Sequence, residues 1–173
     1  LCSMTFFWKS IMPEAWRKMF KTDPYIDPYA QGYFLVIDED GRLDVAHSVF
    51  ENVESAMKQK YLDTYFAKDY LMQMCNFTKS MAYRDTDILP DEKRKISVVY
   101  REYFKPQKLD MGCGLIIMKD GKHAIPEFTA KIGEPDVTEH EMEILQIFLP
   151  HFEKNVWAYA NHYVSSDENR IKN

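Results

Sequence analysis

The stretch GLIIMKDGKHAIPEFTAKI, residues 114–132, sets the architecture of this chain. Gly114 to Met118 is an apolar run rich in isoleucine, which suits a strand. Lys119-Asp120-Gly121-Lys122 follows, and an Asp-Gly pair between two apolar runs is a hairpin signal. Ala124 to Ile132 then returns as the second strand. Pro126 has no N–H to donate, so this strand is expected at a sheet edge or at a bulge.

Upstream lies a second hairpin pattern. Tyr33-Phe34-Leu35-Val36-Ile37 reads as a strand, Asp38-Glu39-Asp40-Gly41 as a turn, and Arg42 to Ala46 as the returning strand. Between the hairpins, helical patterns run over residues 51–75 and 89–104, with a short strand at Ala82-Tyr83-Arg84. The second helix carries Ile96, Val99, Tyr100, Tyr103 and Phe104, an amphipathic stripe. A further helix is expected over residues 5–20, before the Asp23-Pro24 and Asp27-Pro28 loop.

Downstream, residues 138–163 form the longest periodic segment. Met142, Leu145, Leu149, Phe152, Val156, Tyr159 and Tyr163 are spaced three and four apart in alternation, a heptad-like seam. Thr138 and Glu141 read as a capping box. Residues 165–173 are polar and read as a tail. Helices alternating with hairpins imply an α+β chain, an antiparallel sheet flanked by helices with a long C-terminal helix. The seam suits either the chain's own sheet or a second copy.

Composition narrows the function. With 173 residues, one domain is the natural count. The net charge of -5 and the scattered Lys and Arg are wrong for direct nucleic-acid binding. Cys2, Cys75 and Cys113 form no CxxC pair, which argues against a disulfide framework and fits a reducing cytoplasm. No apolar run is long enough to span a membrane. The chain opens at Leu1 rather than Met, which fits an excised domain.

No P-loop, GxSxG, HExxH or glycine-rich dinucleotide loop is present, so no catalytic residues are assigned and no enzyme is expected. The five histidines are scattered, and neither a metal site nor a cofactor is expected. His151, after Pro150, reads as a helix residue beside a kink rather than a ligand. Cys113 between two glycines reads more readily as a small buried residue than as a reactive thiol. Tyr61, Tyr65, Tyr100 and Tyr103 stand on helices facing the sheet. They suit a core with hydroxyls at its edge, or the lining of an apolar ligand pocket.

Several segments in order carry a family resemblance: YLDTYFAKDY (61–70), DILP (87–90), YREYFKPQ (100–107), GCGL (112–115), VTEHE (137–141) and LQIFLPHF (145–152). Together they resemble the GAF/PAS-like N-terminal sensor region of LuxR-type transcriptional regulators. The resemblance covers a little over half of the chain. It implies a sensor domain over residues 1–164 and a linker at 165–173 toward a helix-turn-helix domain that this chain does not contain. It also implies an unidentified small-molecule effector, held near Tyr61, Tyr65, Tyr100, Tyr103 and Cys113. A homodimer is expected, with a signal passed through the seam of the last helix and DNA met only through the missing domain. Tyr61, Tyr65 and Asp69 lie roughly where the quorum-sensing subgroup reads acyl-homoserine lactones, but the tryptophan of that set is absent, and that ligand is not carried over. A ligand-free dimerisation scaffold and a small enzyme are the alternatives.

Overall fold

The computed structural model describes residues 31–171 of the chain. The helix expected over residues 5–20 and the proline loop after it lie outside the described residues. The fold is α+β, built on five antiparallel strands: β1 (Gln31–Ile37), β2 (Val49–Glu51), β3 (Met81–Arg84), β4 (Leu109–Lys119) and β5 (Lys122–Lys131). Their spatial order is β2-β1-β5-β4-β3.

The β4–β5 hairpin forms as its sequence dictates, with Lys119 opposite Lys122. Asp120 and Gly121 both adopt positive φ, 51° and 79°, as a two-residue hairpin turn of matching twist requires. The expectation of an edge position for the proline strand is overturned. β5 lies at the centre, between β1 and β4, with Pro126 opposite Phe34 of β1. The backbones of β4 and β5 come close beside it: a Cβ on Gly114 would stand 2.1 Å from the Pro126 carbonyl oxygen. Only glycine fits there.

The first expected hairpin is also corrected. Residues 42–46 form no strand; Leu43 alone bridges to Ile37, and β2 comes later, at Val49–Glu51. Side chains replace the ladder. Asp38 Oδ1 accepts the N–H groups of Asp40 and Arg42, at 3.0 and 2.8 Å. Ser48 Oγ accepts the Val36 N–H at 3.0 Å and donates to the Asp44 carbonyl at 2.7 Å. Asp and Ser make such local bonds at the expense of regular structure.

Neither middle helix is continuous. The first is α1 (Ser55–Lys60), a π-helical turn at Tyr61–Tyr65, and 3₁₀ turns at Phe66–Lys68 and Tyr70–Asn76. It breaks at Asp69, which is extended and whose Oδ1 accepts the Leu71 N–H at 3.0 Å. After β3 come α2 (Asp85–Ile88) and α3 (Asp91–Arg94), then a second π turn at Tyr100–Phe104. Ile96, expected in the apolar stripe, is 69% exposed. The residue that turns inward is Arg94, bonded to the side chains of Asp91 and Asp110 at 2.8 and 2.7 Å.

The last helix, α4 (Glu139–Ile171), carries the capping box: Thr138 N–H donates to Glu141 Oε2 at 2.8 Å, and Glu141 N–H to Thr138 Oγ1 at 3.3 Å. The helix takes in residues 165–171, read from sequence as tail. Leu145 and Leu149 of the seam are buried against Phe34, Val36, Leu115, Ile117 and Phe128, and Met142, Phe152 and Val156 pack at the margin. Over these residues the seam faces its own sheet. The side chain of Tyr159 lies outside the described residues. Gln146 accepts the N–H of Ala82 on the edge strand β3 at 3.0 Å, and Arg84 donates to Glu139 at 2.6 Å and to the Val137 carbonyl at 2.9 Å. The helix is thus fastened to β3 as well as packed on the sheet.

Among the described residues, no helix is long and apolar enough to cross a membrane.

A buried carboxyl cluster as candidate functional site

Side chains alternate across a sheet, so each strand serves two cores. One row on the face away from α4 runs Tyr83, Gly114, Glu127, Tyr33 and Phe50 across all five strands. This face is roofed by residues 55–107, and its core contains Tyr33, Tyr61, Tyr65, Tyr70, Tyr83, Tyr100 and Tyr103 among aliphatic residues. Glycine at 112 and 114 lowers the β4 surface beneath the roof.

The four tyrosines predicted from sequence all lie in this core. Three come together: Tyr103 stands with its ring centroid 5.1 Å from Tyr61 and 5.5 Å from Tyr65. Tyr100 lies to one side, stacked under the Arg94 guanidinium at 5.1 Å. Cys113 is not brought together with them. It points to the opposite face, into the core beneath α4. Burial pushes its thiol well above the usual range, which leaves little thiolate.

The polar content of the site lies largely in residues not singled out from sequence; of its three acids only Asp69 is named there, through the family resemblance. Three carboxyls, Asp69, Asp85 and Glu127, are buried under the roof. Tyr61 donates to Asp69 Oδ2 at 2.7 Å. Asp85 Oδ2 accepts both the Tyr70 hydroxyl and the Gly112 N–H, each at 2.7 Å. Tyr83 donates to Glu127 Oε2 at 3.2 Å. Beside them, Tyr33 donates to Gln31 Oε1, and its oxygen lies 3.4 Å from that of Tyr103. Gln31 in turn donates to Gln107 at 2.8 Å.

Two oxygens are left over: Asp85 Oδ1 and Glu127 Oε1 are buried and have no hydrogen-bond partner. A buried polar atom without a partner costs roughly 1–3 kcal/mol and calls for an explanation.

Burial dominates the electrostatics. It pushes Asp69 up to about 7, against the hydrogen bonds from Leu71 and Tyr61 that favour the carboxylate. It pushes Asp85 up to about 6, against Tyr70, Gly112 and the charge of Arg94. Glu127 rises well above the usual range through burial and then through Asp85 and Asp69. The nearby cation is Arg94, already committed to Asp91 and Asp110. At neutral pH Glu127 therefore stays protonated, Asp69 is divided between its two forms, and Asp85 is mostly ionised. Sequence did hold a signal for one of them: Glu127 lies in a strand apolar on both faces. Asp85 and Asp69 look like ordinary helix-terminal acids until the chain is folded.

Among the described residues, no cluster of His, Cys, Asp and Glu is arranged to hold a metal ion.

This mixed sheet-and-helix architecture has solved counterparts. The structure is similar to the ligand-binding domain of VqsR from Pseudomonas aeruginosa, with a TM-score of 0.65 and 15% identity over 86% of this chain and 83% of that one. It is also similar to SdiA of Escherichia coli, with a TM-score of 0.55 and 13% identity over 92% of this chain and 66% of that one. At these identities the likeness shows a shared fold, that of the VqsR ligand-binding domain among them. No family model matches the chain, and no curated protein matches it.

Proposed function

We propose that this chain is the effector-sensing domain of a LuxR-type transcriptional regulator. The observation that carries the reading is the polar cluster enclosed between sheet and helical roof, in a fold shared with a ligand-binding domain. A small molecule seated there meets tyrosine hydroxyls and carboxyls on one side and aromatic rings on the other, as small-molecule sites commonly offer. Tyr61, Tyr65 and Tyr103 line this site together with Tyr33 and Asp69, and Tyr100 borders it. Cys113 contributes from behind the sheet, through packing.

The relay follows from the two-faced sheet. The effector reseats residues on one face, and α4 lies on the other. A ligand biases the regulator only if it binds two arrangements unequally. Shifting α4 repositions a helix-turn-helix domain carried beyond it, residues 165–171 extending the helix rather than forming a loose linker, and DNA is met through that domain. The plan of sheet, ligand-side roof and signal helix is that of GAF- and PAS-like sensors, working in the cytoplasm.

A homodimer completes the proposal. Because the seam from Met142 to Val156 faces inward, the surface left for a second copy is the outer side of α4. Ile147 is 71% exposed there and Phe148 45%. That outer face also suits a scaffold that dimerises without a ligand.

Native mass spectrometry of the purified chain, followed by a denaturing run, tests the reading. Extra mass on the native species that is lost on denaturation supports a sensor. A clean dimer that also stays unshifted in a thermal screen of metabolites sinks it in favour of the scaffold.

A further inference from the structure

The leftover oxygens and the glycine beside them point to a class of ligand. Gly112 is closely packed, and the three atoms nearest its missing side chain are oxygens. A methyl group built there would meet Glu127 Oε1 at 2.9 Å, the Phe128 carbonyl oxygen at 3.1 Å and Asp85 Oδ2 at 3.2 Å. Glu127 Oε1 is one of the two unpartnered oxygens, and the other belongs to Asp85. Both residues are almost wholly enclosed, each 1% exposed.

Resting on the sensor reading, we infer that the effector carries a cationic nitrogen group, a primary ammonium or an amidinium, which the Asp85–Glu127 pair receives beside Gly112. Several features agree. The surround offers acceptors, and a group with two or three N–H donors satisfies acceptors. The site holds three acids, and its nearby cation, Arg94, is spent on Asp91 and Asp110. A neutral ligand leaves Glu127 protonated beside Asp85. A cationic one lets Glu127 ionise and compensates both, and hydrogen bonds with charge on each side are the stronger kind. The ring of Tyr61, 6.0 Å from that of Tyr33 and 5.1 Å from that of Tyr103, suits with them the remainder of the molecule as an apolar or aromatic body. Glycine at 112 keeps the pair in place, because a Cβ there would stand 2.9 Å from Glu127 Oε1 and push it aside.

Thermal-shift and calorimetric titrations of the full 173-residue chain test this. The probes are butylamine, putrescine, agmatine and tyramine, set against butanol, butyrate, and magnesium or potassium chloride. The expected result is a rise in Tm with at least one amine or amidine and none with its neutral or anionic counterpart. Glu127→Gln keeps the shape and removes the acid. It should fold at least as well as the parent and bind the same probe at least tenfold more weakly. Should Glu127→Gln fail to fold, Asp85→Asn takes its place, since an amide oxygen can still accept from Tyr70 and Gly112. Equal shifts from inorganic cations, or an undiminished response in both variants, overturn the inference. So does a response, or a co-purified mass, confined to neutral or acidic compounds, although the sensor reading then stands. Silence toward every probe, with no co-purified mass, removes both.

Discussion

The two faces of one sheet differ in kind. Beneath α4 the core is dry: Phe34, Val36, Leu115, Ile117 and Phe128 meet Leu145 and Leu149. Under the roof of residues 55–107, the same five strands present tyrosines, a glutamine and a glutamate, and the roof adds two aspartates. Burying apolar surface stabilises by about 25 cal/mol per Å². Burying carboxyls does the opposite unless they are neutral or paired. The face under α4 therefore supplies stability, and the face under the roof spends some of it on arranged polar groups. A site that holds unsatisfied atoms ready for a partner has this character.

The sharpest way to break the comparison is to wet the dry face. Replacing Leu149 and Phe152 by asparagine removes one buried and one half-buried anchor of α4. Large-to-small changes at such positions cost about 2–5 kcal/mol each, and the polar atoms add to it. The double variant should lose at least about 4 kcal/mol or fail to fold, as read by urea denaturation. Unchanged stability and unchanged association would mean that α4 does not pack on this sheet.

The polar face makes the next largest prediction, and its sign is unusual. Asp69 rises from 3.8 to about 7 on folding, and Asp85 from 3.8 to about 6. A raised carboxyl favours folding below its unfolded pKa, and that contribution is lost as pH climbs through the folded value. Stability should therefore fall between about pH 5 and pH 8, by on the order of 2–4 kcal/mol at 1.4 kcal/mol per pKa unit. Paired surface acids such as Asp91 act in the opposite sense, but exposed pairs are worth little. Asp69→Asn should flatten the profile. A domain that is more stable at pH 8 than at pH 5.5 would show that the cluster is hydrated or open.

How far sequence reached differs between the same two faces. The dry face was legible. The heptad seam as far as Val156, the capping box, the apolar strands and the Asp-Gly turn each rest on one local rule, and packing agreed with them. The roof was not. Its tyrosines were found because aromatic spacing survives even when a helix is broken. The breaks themselves were missed, because the π turns at Tyr61–Tyr65 and Tyr100–Phe104 come with no glycine or proline inside them. Ile96 is turned outward and Arg94 inward because an ion pair with Asp110, sixteen residues away, outweighs local periodicity. Pro126 misled for a similar reason: a missing donor argues for an edge, but β4 and β5 instead come together over Gly114 and leave β5 central.

That close approach gives a smaller test. Gly114→Ala places a methyl 2.1 Å from the Pro126 carbonyl oxygen and 3.0 Å from the Glu127 Cα. Neither neighbour is the end of a flexible chain, so the strands must part. Overpacking of this kind costs about 1–3 kcal/mol. Because Glu127 rides on the displaced strand, effector binding should weaken along with stability, by thermal shift and titration together. A variant of parental stability would mean that the two strands are free to separate at this point.

The smallest expected effect bears on whether the two faces communicate. Thr138→Ala removes the cap of α4, where Thr138 Oγ1 accepts the Glu141 N–H and donates to Glu141 Oε2 at 2.8 Å. Losing such a cap costs about 1 kcal/mol. The residue's side chain bonds to Glu141 and to none of the three acids. If the faces are independent, stability drops by that amount and the affinity of any effector stays put. If α4 relays the signal, weakening its seat changes the balance between two arrangements, and the affinity must move as well. Linkage makes this reciprocal: a ligand that shifts α4 has an affinity that α4 shifts. Measured affinity in Thr138→Ala, beside its measured stability, therefore separates a relay from two cores that merely share a sheet.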